Sequence, residues 1–583
     1  MTADIKRINS DAGNGACCCE TTEKSASTAH KILSIAQSIC PLCHKPIEAF
    51  YVEEKGRVYF VKECDEHGIF RTLASENAEN FKEWIKHPVV NIPPKRAITK
   101  GAAGISKSAS CCAGKPGSND LSGSELSGSE CPLHCGTCEN HLQTACCVLI
   151  DITDRCNQHC PYCFAKSETD ADISGEPTLE ELAAKFDLLL ELGEERTFNI
   201  QLSGGEPTVR DDLPQIIRLA RDKGFEYIQI NTNGRRLATE EGYARKLKES
   251  GASVVFMQFD GTRDDIYEAL RGEPLLAIKK QAIQNCEKAG LGVTLVPTIV
   301  NGVNTDNIGE MMDFLVENVN VVKGIHFQPV SFFGRHPEAP AVSEKCDVND
   351  ADGGKNSGTA VHSGDFEGRI TMFGLLEELQ KQRPQFSIDD MCPIATGHTL
   401  CCFYSTYIRE PDGSVKCTLS AKKKEEGVSC CDTEEVGVVQ QPGGACCCGT
   451  SEIQDSCCCG QEDSRMDALE IIKKDRDYVL DKWEIAEPEE IGCCCDTGEN
   501  AADSVCCCGS SGDSSPQYTS SDEIMDMDEF LRYYRRNTFT VTGMAFQDIM
   551  NLDSERLKRC RVQVLSDDNR LIPFCAYNSI YRK

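Results

Sequence analysis

The stretch that decides the fold is residues 151–164, which read DITDRCNQHCPYCF. Its cysteines, Cys156, Cys160 and Cys163, are separated first by three residues and then by two. Three thiolates at this spacing can bind three irons of a [4Fe-4S] cluster and leave the fourth iron without a protein ligand. The apolar run VLIDIT just before them predicts a strand, so we expect the cysteine loop to begin where that strand ends.

The residues around this loop alternate between strands and helices. Between residues 148 and 340, six apolar runs predict strands, and five segments with helical spacing of apolar residues lie between them. Alternation of this kind predicts a parallel sheet or barrel. We therefore predict an α/β fold class, in which the alternation alone fits either a barrel or an open sheet. The polar motifs at the strand ends select a partial (β/α)6 barrel, with its active site at the carboxyl ends of the strands.

Three of the predicted strands end in short polar motifs, SGGEP, NTNG and QFDG. Together with the cysteine spacing and the aromatic residue before the last cysteine, they resemble the radical S-adenosylmethionine (SAM) superfamily. The resemblance implies that Cys156, Cys160 and Cys163 are catalytic, and that SAM binds the open iron and is cleaved to a 5′-deoxyadenosyl radical. The cofactor-binding residues that it implies are Tyr162, Gly204, Gly205, Glu206, Asn231, Asn233, Gln258 and Asp260.

A second cysteine group, CPLHCGTC, lies at residues 131–138, before the barrel. Cys131, Cys135 and Cys138 have the same spacing as the cysteines of residues 151–164. Only the cysteines of residues 151–164 are followed by the βα array and the SGGEP motif. We therefore predict that residues 131–147 hold an auxiliary [4Fe-4S] cluster, with Cys146 or Cys147 as the fourth ligand. A structural zinc ion is the alternative.

A third group lies near the N-terminus, in a domain expected at residues 35–95. The strands AFYVEE and RVYFVKE, joined by a glycine turn, carry one ligand pair before the hairpin and one after it. Cys40, Cys43, Cys64 and His67 make a tetrahedral set that suits zinc or a mononuclear iron, as in a zinc ribbon or a rubredoxin. We favour a structural role for this site over electron transfer.

The chain after the barrel, residues 341–583, is predicted to be an α+β region that binds a further auxiliary cluster. Six cysteines there lie in non-repetitive sequence, at Cys392, Cys401, Cys402, Cys417, Cys560 and Cys575. Of these, the candidate ligands are Cys402, Cys417, Cys560 and Cys575. The alternative is that several of the six are buried small apolar residues.

Low-complexity segments interrupt the chain. Residues 1–34 are predicted to be a disordered tail and residues 96–130 a linker, with insertions at about 420–465 and 488–522. Five CCC triplets stand at 17–19, 446–448, 457–459, 493–495 and 506–508. We interpret them as parts of inserted loops in a reduced cytoplasm, with metal scavenging or cluster delivery as the alternative.

Composition limits the classes of function. The formal net charge of −31 argues against a general nucleic-acid binder, because such proteins need a basic surface. A disulfide scaffold is not expected from the 38 cysteines, since the chain has 583 residues and no apolar signal core. No stretch is long and apolar enough to span a bilayer, so we expect a cytoplasmic protein.

A narrower resemblance rests on three pairs of short sequence motifs. They are CPLHCGTC followed by NQHCPYCFA, CPLC together with KECDEHG, and RLKRC together with LIPFCAYN. They resemble the archaeal tetraether lipid synthase family, whose members have also been assigned as 7,8-dihydro-6-hydroxymethylpterin methyltransferases. The resemblance implies one or two auxiliary clusters and an external electron donor of ferredoxin or flavodoxin type. It also implies that the substrate is a membrane diether lipid, reached by peripheral contact with the inner membrane face, whose isoprenoid chains are joined.

Three other interpretations stay open. The second choice is radical SAM C-methylation of a pterin precursor of methanopterin, without cobalamin because no DxHxxG segment is present. The third is a peptide-modifying maturase, although such enzymes normally hold their auxiliary clusters in a compact C-terminal domain. A non-catalytic cluster carrier would explain the CCC triplets but not SGGEP and NTNG.

Overall fold

The computed structural model describes residues 31–94, 132–133, 135–136, 141–167, 172–193, 197–337, 361–418 and 527–582. Five of the predicted features lie outside these residues or mostly so, namely Cys131, Cys138, the 96–130 linker, the tail at 1–34 and the five CCC triplets. The strands are β1 (Lys31–Ile39), β2 (Pro46–Glu54), β3 (Arg57–Cys64), β4 (Gly68–Ser75), β5 (Cys147–Thr153), β6 (Asn199–Gly204), β7 (Ile228–Thr232), β8 (Val254–Gln258), β9 (Gly292–Val296), β10 (Thr298–Ile299), β11 (Val322–Pro329), β12 (Val361–Ser363), β13 (Cys402–Arg409), β14 (Val415–Cys417), β15 (Thr538–Met544), β16 (Val562–Leu565) and β17 (Leu571–Pro573).

The helices are mostly short and lie between the strands. They are α1 (Ala78–Trp84), α2 (Leu179–Gly193), α3 (Leu213–Asp222), α4 (Arg235–Thr239), α5 (Tyr243–Glu249), α6 (Asp264–Arg271), α7 (Leu276–Lys288), α8 (Ile308–Glu317), α9 (Met372–Gln382), α10 (Met527–Asn537), α11 (Ser554–Lys558) and α12 (Phe574–Ala576). Within the described residues, each helix is too short or too polar to cross a membrane.

The N-terminal sheet is an antiparallel meander of β1 to β4, with β12 added in parallel to β4. The predicted hairpin of β2 and β3 is present, and Lys55 and Gly56 both have positive φ at its two-residue turn. Such turns match the twist of the flanking strands. Strand β1 begins at Lys31, ahead of the domain start predicted at residue 35, because Lys31 pairs with Glu53.

The predicted partial barrel is confirmed. Strands β5, β6, β7, β8, β9 and β11 lie side by side in chain order, and each neighbouring pair is parallel. Their outward residues are buried under the intervening helices, as Ile200 and Leu202 are in β6. A parallel sheet that is covered in this way is typical of strands that read as continuous apolar runs.

The C-terminal part of the chain extends the barrel at both edges. β15 pairs in parallel with β11, and β16 pairs in parallel with β5. The N-terminal sheet packs on the same C-terminal part, since Tyr51 Oη donates to Asp553 Oδ2 (3.0 Å) and Lys62 Nζ donates to Ile549 O (2.9 Å). The sequence between β15 and β17 therefore lies between the barrel and the N-terminal metal domain.

Candidate active site

The cysteine loop begins after β5 and is held by backbone hydrogen bonds to the segment after β11. The amide of Cys163 donates to Arg335 O (2.8 Å), and the amide of Arg335 donates to Cys163 O (2.9 Å). The Arg335 side chain reaches the same loop, with Nε donating to Cys160 O (2.8 Å). All three cysteines, Cys156, Cys160 and Cys163, line one cavity of about 400 Å³.

Among the described residues, these three thiols do not form one of the close ligand groups that fit a single ion. Burial raises the pKa of Cys156 to about 12 and also raises that of Cys160, so without metal both are neutral thiols that would lose a proton on binding iron. We propose that Cys156, Cys160 and Cys163 each bind a different iron. When bound, such a cluster supplies the electron that cleaves SAM to methionine and a 5′-deoxyadenosyl radical.

Two glycines at the end of β6 let its backbone lie directly against the cysteine loop. The amide of Gly205 donates to Thr153 O (2.7 Å), and the amide of Glu206 donates to Arg155 O (2.8 Å). A Cβ atom on Gly204 would overlap the carbonyl oxygen of Thr153, and one on Gly205 would overlap that of Arg155. The glycines are therefore required by backbone-to-backbone contact with the residues just before Cys156.

The Glu206 carboxylate joins the ends of β6 and β7. It is 2% exposed and accepts hydrogen bonds from Thr232 Oγ1 (2.6 Å) and from the amide of Asn233 (2.6 Å). Asn233 in turn donates from Nδ2 to Asn157 Oδ1 (2.7 Å), inside the cysteine loop. The predicted SAM-binding residues of two strands and the loop thus form one hydrogen-bonded unit. Their contacts with SAM remain a proposal.

The remaining predicted SAM-binding residues divide into two groups. Tyr162, Asn231 and Gln258 line the cavity, and Gln258 Oε1 accepts a hydrogen bond from buried Lys279 Nζ (3.1 Å). Asp260 is fully buried behind the wall, where both of its carboxylate oxygens are bound by Arg271. We therefore place Asp260 as an anchor and not as a direct SAM contact.

Sequence reasoning missed three cationic residues around the loop, namely Arg271, Lys279 and Arg335. Arg271 and Lys279 lie in helices α6 and α7, where the pattern of charges is that of ordinary surface positions. Lys279 is fully buried and donates to Asn233 O (2.6 Å), and burial lowers its pKa to about 8. Only the tertiary structure reveals that these side chains point inward.

The N-terminal metal site is formed as predicted. The ligand atoms of Cys40, Cys43, Cys64 and His67 all lie within 4.8 Å of one another, and Cys64 Sγ is 3.4 Å from His67 Nδ1. Burial raises the pKa of Cys40 to about 11, while a backbone hydrogen bond involving Lys45 lowers that of Cys43. Three sulphurs and one imidazole at this separation fit one tetrahedral ion.

Removing one ligand of this site is expected to remove its metal and to spare SAM cleavage. In Cys43→Ser, we expect the metal content to fall by about one equivalent per chain and the melting temperature to fall, because a structural ion contributes directly to folding. Inductively coupled plasma mass spectrometry gives the metal count, and 5′-deoxyadenosine formation gives the activity. Cys286→Ala, which removes a buried thiol of α7, is the control. An unchanged metal count would contradict the assignment.

The segment predicted to hold the first auxiliary cluster is only partly within the described residues. Cys135 is buried, its amide donates to Tyr581 Oη (2.6 Å), and its carbonyl accepts from Arg570 Nη1 (2.9 Å). Cys146 and Cys147, the two candidates for the fourth ligand, both line the barrel cavity. Cys135 is thus docked on the C-terminal part of the chain, through Arg570 and Tyr581, and we propose that an auxiliary cluster is bound there.

The four C-terminal candidate ligands do not form one group. Cys417 Sγ lies 3.6 Å from Ser405 Oγ, and the pKa of Cys392 is raised by burial and by the neighbouring Cys417. The pKa of Cys560 is raised by burial and by Cys575 and Cys401. Cys402 begins β13, whereas Cys417 pairs with Tyr407 near the other end of that strand, so we propose that Cys417 does not share a cluster with Cys402, Cys560 and Cys575.

Sequence profiles of two known families match this chain. The radical SAM superfamily matches residues 150–315, and the HMPTM N-terminal zinc ribbon domain matches residues 32–76. The fold and the site thus define a radical SAM enzyme, which uses SAM and a [4Fe-4S] cluster and carries an N-terminal zinc ribbon.

A relative matches almost the whole chain. Over 558 residues the chain is 30% identical to the 7,8-dihydro-6-hydroxymethylpterin dimethyltransferase of Methanocaldococcus jannaschii, and the match covers 94% of this chain and 93% of that protein. The chain belongs to the family of that protein.

Other similarities are confined to part of the chain. The Fe-coproporphyrin III synthase of Methanosarcina barkeri is 37% identical over 172 residues, which are 29% of this chain and 41% of that protein. The crystal structure of Streptococcus suis SuiB bound to S-adenosylmethionine aligns at 17% identity over 34% of this chain and 44% of that chain. Its TM-score of 0.28 is too low to support an argument.

Proposed function

We propose that the enzyme joins the isoprenoid chains of archaeal diether lipids, so that two diethers become one tetraether through two new C–C bonds, each formed in the same way. Each of two chain ends loses one hydrogen atom to a 5′-deoxyadenosyl radical, and the two carbons then form one C–C bond. The observation that supports this proposal is the division of the cavity wall into a polar side and an apolar side.

The polar side lies at the strand ends. Gly205, Asn231, Asn233 and Gln258 line it, next to the three cysteines. Amide groups and an exposed backbone suit the amino, carboxylate and ribose groups of SAM. We therefore propose that SAM occupies this side, which leaves the opposite side for the substrate.

The apolar side is formed by β5 and by the C-terminal part of the chain. Leu149, Phe333, Phe546, Val562 and Phe574 line it, and the rings of Phe546 and Phe574 are 4.4 Å apart. Such a wall favours a hydrocarbon by about 0.8 kcal/mol per buried methylene. A pterin placed against it would lose hydrogen bonds to water without replacement.

One partly exposed aromatic side chain also lines the cavity. Phe164, which directly follows the last cysteine of the loop, is 37% exposed, and its ring lies 5.8 Å from that of Phe574. Such a ring offers a further apolar contact to a hydrocarbon chain. We also propose peripheral contact with the membrane, where such a chain would be found, and a reductant of ferredoxin or flavodoxin type, since each SAM cleavage consumes one electron.

A second candidate function is C-methylation of a pterin. The name of the near-full-length relative favours it, as does a row of amides deeper in the barrel. Gln229 Nε2 donates to Asn231 Oδ1 (2.7 Å), and Asn231 Nδ2 donates to Gln201 Oε1 (3.3 Å). These amides could pair with the nitrogen and oxygen atoms of a pterin ring.

Expression in an anaerobic archaeal host that makes only diether lipids tests the first proposal. Mass spectrometry of the hydrolysed core lipids is expected to detect tetraethers or joined-chain diethers, and the Cys160→Ala variant is expected to give none. Unchanged lipids, with iron content and SAM cleavage confirmed for the purified protein, would contradict lipid coupling and favour the pterin.

A matched pair of variants separates the two substrates within one protein. Phe333→Gln places a polar group in the apolar wall, and we expect it to lower lipid product about tenfold, a loss of about 1.4 kcal/mol. Gln229→Leu removes an amide from the deeper row and is expected to leave lipid product within about threefold of the parent, a change of less than 1 kcal/mol. The pterin proposal predicts the reverse order when methylated pterin is the readout. SAM cleavage without substrate is measured in both variants as the control for folding.

A further inference from the structure

Arg271, the last residue of α6, is a buried cation that the predicted motifs do not include. Arg271 is 7% exposed. Its guanidinium forms a bidentate ion pair with Asp260, in which Nε donates to Oδ2 (2.8 Å) and Nη2 donates to Oδ1 (2.7 Å). Nη2 also donates to Thr298 Oγ1 (3.0 Å). The side chain therefore joins the segments that follow β8 and β9.

The same guanidinium reaches the cysteine loop. Nη1 donates to the carbonyl oxygen of Tyr162 (3.0 Å), which stands between Cys160 and Cys163 in the sequence. Arg271 also lines the cavity that holds the three cysteines. The loop is thus fixed from one side by Arg271 and from the other by Arg335, whose Nε donates to Cys160 O.

The ion pair is costly to bury, and its location suggests why it is present. Asp260 is 0% exposed, and removing two charges from water costs several kcal/mol for each ion before their attraction is counted. Within the pair, the positive group contacts the cysteine loop, while the carboxylate lies behind it. A [4Fe-4S] cluster with three thiolates becomes more negative when it is reduced, so a buried cation on its near side favours the reduced state.

We propose that Arg271 is a positioning residue that fixes the cysteine loop and raises the reduction potential of the cluster bound there. The inference rests on the three proposed cluster cysteines and does not depend on which substrate the enzyme uses. Arg271 acts through the backbone of Tyr162 and through its charge.

The test is a redox titration of the full-length, anaerobically reconstituted protein, followed by electron paramagnetic resonance. The signal to follow is the one that changes when SAM is added, since auxiliary clusters without an open iron do not respond. In Arg271→Gln we expect the ratio of reduced to oxidised cluster at a fixed potential to fall about tenfold, a downward shift of about 59 mV for one electron. Arg263→Gln is the matched control, because Arg263 directly precedes the same helix but pairs at the surface with Asp265 and Asp306.

A second variant covers the case in which Arg271→Gln does not fold with Asp260 left unpaired. The double variant Asp260→Asn/Arg271→Gln removes both buried charges. Because the positive charge lies nearer to the cluster than the negative charge, we expect the midpoint reduction potential of the double variant to lie between that of Arg271→Gln and that of the parent protein. Loss of the SAM-responsive cluster from either variant, with unchanged circular dichroism, would also support the fixing of the loop. The proposal would be overturned if a variant that retains the cluster had the same midpoint reduction potential as Arg263→Gln.

Discussion

Replacing Cys156, Cys160 and Cys163 together with alanine is expected to abolish the formation of 5′-deoxyadenosine. The three thiols line one cavity beside the polar strand ends, and the loop that carries them is fixed by hydrogen bonds at Cys160, Tyr162 and Cys163. Without these three thiolates the loop cannot bind the cluster, and the two other cysteines that line the cavity, Cys146 and Cys147, are too few to replace a set of three ligands. The measurement is liquid chromatography with mass spectrometry after incubation with SAM and a strong reductant.

The control for this variant is Cys286→Ala. Cys286 is also a fully buried thiol, but it lies in α7 and outside the residues that line the cavity. It is expected to retain SAM cleavage with a modest loss of stability, since a small cavity is left behind. Continued 5′-deoxyadenosine formation by the triple variant would refute the assignment of the site.

Replacing Gly204 with alanine is expected to be nearly as damaging, although no ligand is removed. A Cβ at this position would overlap the carbonyl oxygen of Thr153, and φ at Gly204 is +117°, where residues with a side chain are strained. The backbone of β6 can therefore no longer lie against the start of the cysteine loop. We expect a roughly 100-fold fall in 5′-deoxyadenosine formation, which corresponds to about 2.7 kcal/mol.

Gly224 offers a matched control for this substitution. Its φ is +103°, but a Cβ there would meet no atom within 4 Å. Gly224→Ala therefore carries the backbone strain alone, and we expect it to lower the melting temperature while SAM cleavage stays within about threefold, less than 1 kcal/mol in activation free energy. Equal losses of activity in Gly204→Ala and Gly224→Ala would show that strain, and not the contact with Thr153, is responsible.

The barrel and its strand-end motifs could be predicted because the sequence pattern of each strand and motif lies within one short segment of the chain. Each parallel strand is an apolar run, and each motif directly follows its strand, so that SGGEP, NTNG and the cysteine loop meet once the strands are aligned. The N-terminal metal site could be predicted for the same reason, since one hairpin and the turns beside it carry all four ligands, Cys40, Cys43, Cys64 and His67. In both cases the relevant residues are close in sequence or on consecutive elements.

The rest depends on contacts between distant parts of the chain. β16 pairs with β5, so Val562 lies beside Cys147, and no pattern near either residue indicates the other. Arg271 was missed for a different reason, because a charged residue at a helix end is usually solvated, and only the fold places it against Asp260 and Tyr162.

The direct test of the central claim is whether hydrogen moves from an apolar chain to SAM-derived 5′-deoxyadenosine. Purified, reconstituted enzyme would be given SAM, a reductant and a diether lipid with fully deuterated isoprenoid chains, dispersed in detergent. We predict deuterium in 5′-deoxyadenosine, detected by mass spectrometry, and none when the deuterated lipid is replaced by its unlabelled form. Abundant 5′-deoxyadenosine without deuterium would contradict abstraction from the lipid, and label transferred from a deuterated pterin in its place would establish the second candidate function.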